Sequence, residues 1–201
     1  MRLERVNWIG IAAGVITIIM PFLGPWWGLT FGTGAIDINL SPFGVEASIF
    51  GTPFSGGTIG SPLLSWFLLS IKLGIIYIGL VLLTGSVLSV SDDYVANADQ
   101  LVRFSAKKLL WLVLVFIIVL LIVIVIANQA SGIIGSLIGG DIPLQTELPY
   151  LIGEGELSTE LEFMQFSSPI HMGFTNAFFV AVIAAGLGIA SQFYQKRLGD
   201  T

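Results

Sequence analysis

The sequence predicts a membrane protein that is mainly α-helical with extracellular β-structure. It should have four transmembrane helices, both termini cytoplasmic, and a small outer antiparallel sheet formed by the two outer loops. Three observations carry this. Hydrophobic residues make up 55% of the 201 residues and charged ones 10%, with a mean hydropathy of +0.92; soluble globular domains carry about 25% charged residues. Four runs reach the roughly 20 apolar residues that a spanning helix needs: Val6–Trp26, Pro62–Leu88, Leu109–Ala127 and Pro169–Phe193. Seven of the eight Lys and Arg residues fall on one side of those runs. The whole chain, 1–201, reads as a single four-helix membrane domain.

The first run follows Arg2 and Arg5 but is longer than a signal-peptide core of about 7–15 residues, and it ends in Pro25, Trp26 and Trp27 rather than in small residues. It reads as a retained helix, kinked near Pro21 because proline lacks a backbone donor. Trp26 and Trp27 are expected as interfacial anchors, with apolar rings in lipid and N–H groups in water. Arg2 and Arg5 precede this helix, Arg103, Lys107 and Lys108 lie between the second and third, and Lys196 and Arg197 follow the fourth. The two remaining loops hold no Lys or Arg but several carboxylates, so the positive-inside rule turns them outward. The chain is then a multi-pass plasma-membrane protein.

Those outer loops, about 31–51 and 140–166, carry the β signal. Ile36, Ile38 and Leu40 alternate with Asp37 and Asn39, then Val45, Ala47 and Ile49 alternate with Glu46 and Ser48. The turn-forming Ser41-Pro42-Phe43-Gly44 lies between, which predicts a hairpin. In the second loop Leu157, Thr159, Leu161 and Phe163 alternate with Glu156, Ser158, Glu160 and Glu162. The segment 142–148 is its expected partner, with Pro143 placing it at an edge. An isolated hairpin is marginal in water, so both loops are expected in one sheet. "SPLLSW" at 61–66 and "SPIHMG" at 168–173 each suggest a helix start, with serine as N-cap and proline at the first position, and hint at a repeat of the two halves. Between the halves, Ser91 is expected to cap a helix with Asp92 and Asp93 in its first turn.

Chemistry-bearing motifs are sparse. The chain has no cysteine and one histidine, which removes thiol nucleophiles, disulfides and bis-histidine sites within it. No phosphate loop, nucleotide fingerprint or serine-hydrolase elbow occurs. The reading is therefore a non-enzyme with no cofactor, no metal and no nucleic-acid partner. Lys72, about ten residues into the second helix, and His171, placed in the first turn of the fourth, are candidates for a partner, lipid or quinone contact. Glu156, Glu160 and Glu162 form a candidate face for a hard cation. Small residues at four-residue spacing mark close helix packing: Gly10 and Gly14, Ser131, Gly135 and Gly139, and Ala181 and Ala185. The absence of outer Lys and Arg, the lack of cysteine and the Ile/Val-rich helices suit a hot, acidic habitat.

Four helices with both ends inside, a β-rich first outer loop, and Trp26-Trp27-Gly28-Leu29 after the first helix resemble the claudin and peripheral-myelin-protein architecture. That resemblance implies outer strands joined in a sheet over the bundle, and lateral or trans-membrane association. The family's full Trp and Gly-Leu-Trp pattern and its paired loop cysteines are not in this chain. Three functions fit: a non-catalytic protein of cell-envelope organisation or assembly, an accessory subunit of a respiratory or quinone-linked membrane complex, or a small transporter or channel subunit. Partners would be the lipid bilayer and either further copies in a homo-oligomer or other membrane or cell-surface proteins.

Overall fold

The computed structural model describes residues 6–55, 62–91, 94–137, 145–146, 149–161 and 164–199, with side chains described except at 54–55, 129–137, 145–146, 156–167 and 198–199. The elements run α1 (Trp8–Ile19), β1 (Trp27–Phe31), β2 (Ile36–Ser41), β3 (Gly44–Ile49), β4 (Thr52–Ser55), α2 (Pro62–Leu88), α3 (Val95–Leu137), β5 (Gln145–Thr146), β6 (Gly153–Leu161), β7 (Met164–Phe174) and α4 (Asn176–Gly199). Three of the helices, α2, α3 and α4, are long and apolar enough to cross a membrane. The chain is mostly helical with one antiparallel sheet, as befits a membrane-embedded protein.

Several boundaries differ from the sequence reading. The first helix is shorter than 6–26: α1 ends at Ile19, and a 3-10 turn carries Met20–Phe22 with Pro21 at its start. Proline cannot donate to the helical ladder, and Gly24, at φ 96°, then turns the chain into β1. The third helix is longer than 109–127. It begins at Val95 because Ala98, Val102, Ser105, Ala106 and Leu109 form one buried stripe at helical spacing. Its charged residues occupy the remaining surface, where Arg103 pairs with Asp99 four residues earlier at 3.0 Å. At the expected Ser91 cap, Ser91 O accepts from Tyr94 N–H just before α3, and Asp92 and Asp93 lie outside the described residues.

The fourth helix starts at Asn176, not at Pro169. Ser168 and Pro169 lie in β7, so the second Ser-Pro is not a helix start, unlike the first, where α2 begins at Pro62. Ile170, Met172 and Phe174 alternate with His171 and Gly173, a period of two that outweighs the Ser-Pro signal once β1 and β6 flank the segment.

The chain divides into two compact units. The helical unit holds Met1–Gly24, Trp66–Val115 and Asn176–Thr201. In it α1 runs antiparallel to α2 at very close range: a Cβ built on Gly79 would lie 3.0 Å from the Gly14 carbonyl and 2.7 Å from Ile18 Cγ1. A Cβ on Gly10 would clash with Ser86 Oγ. α2 meets α3 where Gly85 faces Ala98, Leu101 and Val102, and α3 meets α4 where Gly188 faces Ala106 and Leu109. Small residues let the backbones approach, and dispersion and weak Cα–H···O contacts replace the hydrophobic drive that is missing in lipid. Gly79→Ala is expected to cost about 1–3 kcal/mol by overpacking, because its nearest neighbours include backbone atoms that cannot rotate away. Thermal unfolding in mild detergent should show the lower midpoint, whereas Gly74→Ala, where a Cβ meets nothing within 4 Å, should leave it unchanged.

The sheet unit holds Pro25–Ser65 and Phe116–Thr175. Its seven strands are ordered β4-β3-β2-β1-β7-β6-β5, so both loop segments join in one sheet through the β1–β7 pair. The predicted hairpin is present as β2 and β3, closed at Ser41↔Gly44. Ser41 Oγ accepts from Phe43 N and donates to Gly44 O, both at 3.2 Å. A second tight hairpin joins β3 to β4 through Phe50 and Gly51, both at positive φ (48° and 74°), as a two-residue turn of the primed kind requires. β5 stands at the sheet edge and pairs with β6; Pro143 lies outside the described residues.

Candidate functional site

Cross-strand register gives the sheet two chemically distinct faces. One is apolar and packs on α3: Trp27, Leu29, Ile170 and Met172 form a buried cluster with Leu120 and Ile124, bordered by Phe116, Ile38, Leu40 and Phe174. Phe116, Leu120 and Ile124 recur every four residues, which puts them on one side of the helix.

The tryptophans expected at a helix end as interfacial anchors sit inside this unit instead. Trp26 is 0% exposed and Trp27 3%. The Trp26 ring meets Phe43 and Phe116 edge-on, at centroid distances of 5.7 and 5.2 Å. Its backbone N–H donates to Leu40 O and its carbonyl accepts from Thr175 N. Trp27 donates its indole N–H to Leu151 O at 2.8 Å. Both indoles are thus withdrawn from the helix end because β1 begins at Trp27, and alternation with Gly28 and Thr30 sends Trp27, Leu29 and Phe31 to the covered face.

The opposite face is polar. A single row crosses five strands: Ser48 opposite Asp37, Asp37 opposite Thr30, Thr30 opposite His171, and His171 opposite Glu154. His171 lies in β7, not in the first turn of a helix, and its Nδ1 stands 3.4 Å from Glu154 Oε1 with both side chains exposed. Ser48 Oγ donates to Asp37 Oδ2 at 3.5 Å. Beside the row lies a shallow, open depression of about 460 Å³, lined by Gly28, Thr30, Glu154, His171 and Gly173 and bordered by Ile152. Gly28 and Gly173 are direct cross-strand partners, so the floor is bare backbone. Of the predicted cation face, Glu156 and Glu160 fall in β6 opposite Pro169 and Gln165, and their side chains, like Glu162, lie outside the described residues. Among the described residues no three of His, Asp and Glu come together.

No family model matches this chain, and no curated protein matches it. The geometry of its own residues carries the functional reading.

Lys72 is half-buried in α2, and among the described residues no carboxylate lies within ion-pair distance. Gly79 meets Ile18, so Lys72, seven residues earlier on the antiparallel helix, lies roughly 10 Å further along. That is past Phe22, where the helical part of the first segment ends. Of the small-residue positions, Gly10 and Gly14 face α2, and Ala181 and Ala185 are buried in α4. Ser131 and Gly135 lie within α3 with side chains outside the described residues, as is Gly139.

Sequence reasoning overlooked the polar knot at the base of the helical unit. Asn7 is fully buried; its Oδ1 caps α1 by accepting from Gly10 N, and its Nδ2 donates to Ser191 O and to Gln195 Oε1, each at 3.0 Å. Ser86, Ser89, Ser105 and Ser191 are buried in the same unit. An asparagine immediately before an apolar run is an N-cap signal that could have been read.

Proposed function

We propose that this protein organises the cell envelope or assembles other membrane proteins, without catalysis, through the faces of its sheet and helices. Four helices cross the membrane in this reading, with α1 the shortest, both termini are cytoplasmic, and the sheet is extracellular. One observation carries it: two loops far apart in sequence combine in a seven-stranded sheet that presents an ordered polar face. An ordered surface of that size suits recognition by other proteins. The distribution of Lys and Arg supports the orientation.

The chain has no cysteine, so single cysteines report orientation cleanly. Glu46 and Asn97 are both exposed and suit the purpose; Ser105 does not, because it is fully buried. A membrane-impermeant maleimide should label Glu46→Cys on intact cells and Asn97→Cys only after permeabilisation. The reverse pattern would overturn the orientation. For assembly, gentle extraction and native mass spectrometry should recover protein partners or copies; a monomer with lipid alone would count against it. Half-buried Lys72 favours a second reading, an accessory subunit of a respiratory or quinone-linked membrane complex, in which a partner supplies the opposing carboxylate. Co-purification with haem or flavin subunits would select that reading.

A further inference from the structure

The helical unit gathers cations from distant parts of the chain at one end. Asn7 donates to Ser191 O and Gln195 Oε1, which sets the start of α1 beside the last turns of α4. Gly188 faces Ala106 and Leu109, which sets α4 beside α3. Lys196 and Arg197 on α4 therefore share one end of the unit with Arg103, Lys107 and Lys108 on α3, and all five are exposed. The two groups lie about two turns apart along the axis, a gap that flexible lysine stems can narrow. Among the described residues of this unit Asp99 is the one carboxylate, and Arg103 already holds it at 3.0 Å. Lys107, Lys108, Lys196 and Arg197 are thus left without an anion among those residues.

Exposed aromatic rings lie at the same end. Trp8, next to Asn7, is 62% exposed, Phe193, two residues before Gln195, is 68% exposed, and Trp111, one turn beyond Lys107, is 60% exposed. Lys108 Nζ stands 5.6 Å over the Phe104 ring. Directly after Lys108 begins the apolar run of α3, a helix long and apolar enough to cross a membrane. Tryptophans beside cations at the end of an apolar span mark the headgroup layer.

We propose that this end of the helical unit binds anionic phospholipids, with the four cations on headgroup phosphates and Trp8, Trp111 and Phe193 at the edge of the acyl chains. A zwitterionic lipid fits less well, because its phosphate is balanced by its own ammonium. A soluble anion would leave the aromatic rings bare in water. A signal for chain orientation alone needs the charges but not the aromatic side chains among them. The inference holds whichever way the chain crosses the membrane and whatever the sheet binds.

The test offers the full chain, in mild detergent, equal amounts of phosphatidylglycerol and phosphatidylcholine and weighs it with its lipids by native mass spectrometry. The parent should hold phosphatidylglycerol in preference, by about fivefold for each cation engaged. Lys107→Gln/Lys108→Gln and Lys196→Gln/Arg197→Gln should each lower that ratio, and Lys107→Arg/Lys108→Arg should keep it. Phosphatidylglycerol should raise the parent's thermal midpoint more than phosphatidylcholine does, and inorganic phosphate at the same concentration should not raise it. All four positions are exposed, so each variant should match the parent's midpoint in detergent alone. Equal retention of the two lipids by the parent, an unchanged ratio in both glutamine variants, or an equal rise with inorganic phosphate overturns the proposal.

Discussion

Trp26→Ala is expected to destabilise the sheet unit by about 3–5 kcal/mol, the usual cost of deleting a fully buried large aromatic side chain. The indole is 0% exposed and makes edge-on contacts with Phe43 from the β2–β3 turn and Phe116 from α3. Its removal leaves a cavity where turn, helix and β1 meet, and these cannot all collapse into it because Trp26 N–H and C=O hold the backbone to Leu40 and Thr175. Trp26→Phe should cost less, since one ring keeps part of both contacts. Hydrogen exchange read at single amides separates the units: protection in β1, β2 and β7 should fall by two orders of magnitude or more, with α1 and α4 little changed. Near-native protection in β1 would show that the indole adds nothing to the core.

Asn7→Ala should destabilise the helical unit by about 2–4 kcal/mol, combining a lost N-cap, about 1 kcal/mol, with acceptors left buried and unpaired, about 1–3 kcal/mol. Two of those acceptors, Ser191 O and Gln195 Oε1, belong to α4, and Asn7 N–H also donates to Ser86 O on α2. One residue thus ties three helices, its side-chain amide binding α1 and α4 and its backbone N–H, which the alanine keeps, binding α2. Asn7→Ser separates the contributions, because a serine hydroxyl can cap α1 but is too short to reach both α4 acceptors. It should recover roughly 1 kcal/mol of the loss. Thermal unfolding in detergent gives the ranking, and equal midpoints for the alanine and serine forms would assign the whole effect to the cross-helix bonds.

The strands read from period two, β2 and β3, were legible because both flanks of Ser41-Pro42-Phe43-Gly44 alternate cleanly. β1 carries the same signal in Trp27, Leu29 and Phe31, but it follows an apolar run without a break, and two adjacent tryptophans read equally well as the end of a span. β7 was hidden differently. Ser168-Pro169 has the chemistry of a helix start, and the mixed segment after it runs into a long apolar helix, so nothing local contradicts that start. In α3 the polar stretch before Leu109 reads as a helix capped at Ser91, and what composition hides is that this helix, with Ala98, Val102 and Ala106 on one face, runs unbroken into the apolar span. The candidate site was less legible still. Thr30 lies far along the chain from Glu154 and His171, and the three meet only through strand register.

By itself the sequence determined what is written in composition and short period: an apolar chain with helices long enough to span a membrane, Lys and Arg missing from the two β-bearing loops, a hairpin between Ile36 and Ile49, and no thiol chemistry. The tertiary structure decided what depends on partners distant in the chain. It made a strand of the segment holding His171, because β1 and β6 offer its backbone hydrogen bonds on both sides. It buried Trp26 and Trp27 under α3. Hydrophobicity and local propensity are properties of a residue and its near neighbours, whereas burial and pairing belong to whichever surface the fold brings opposite.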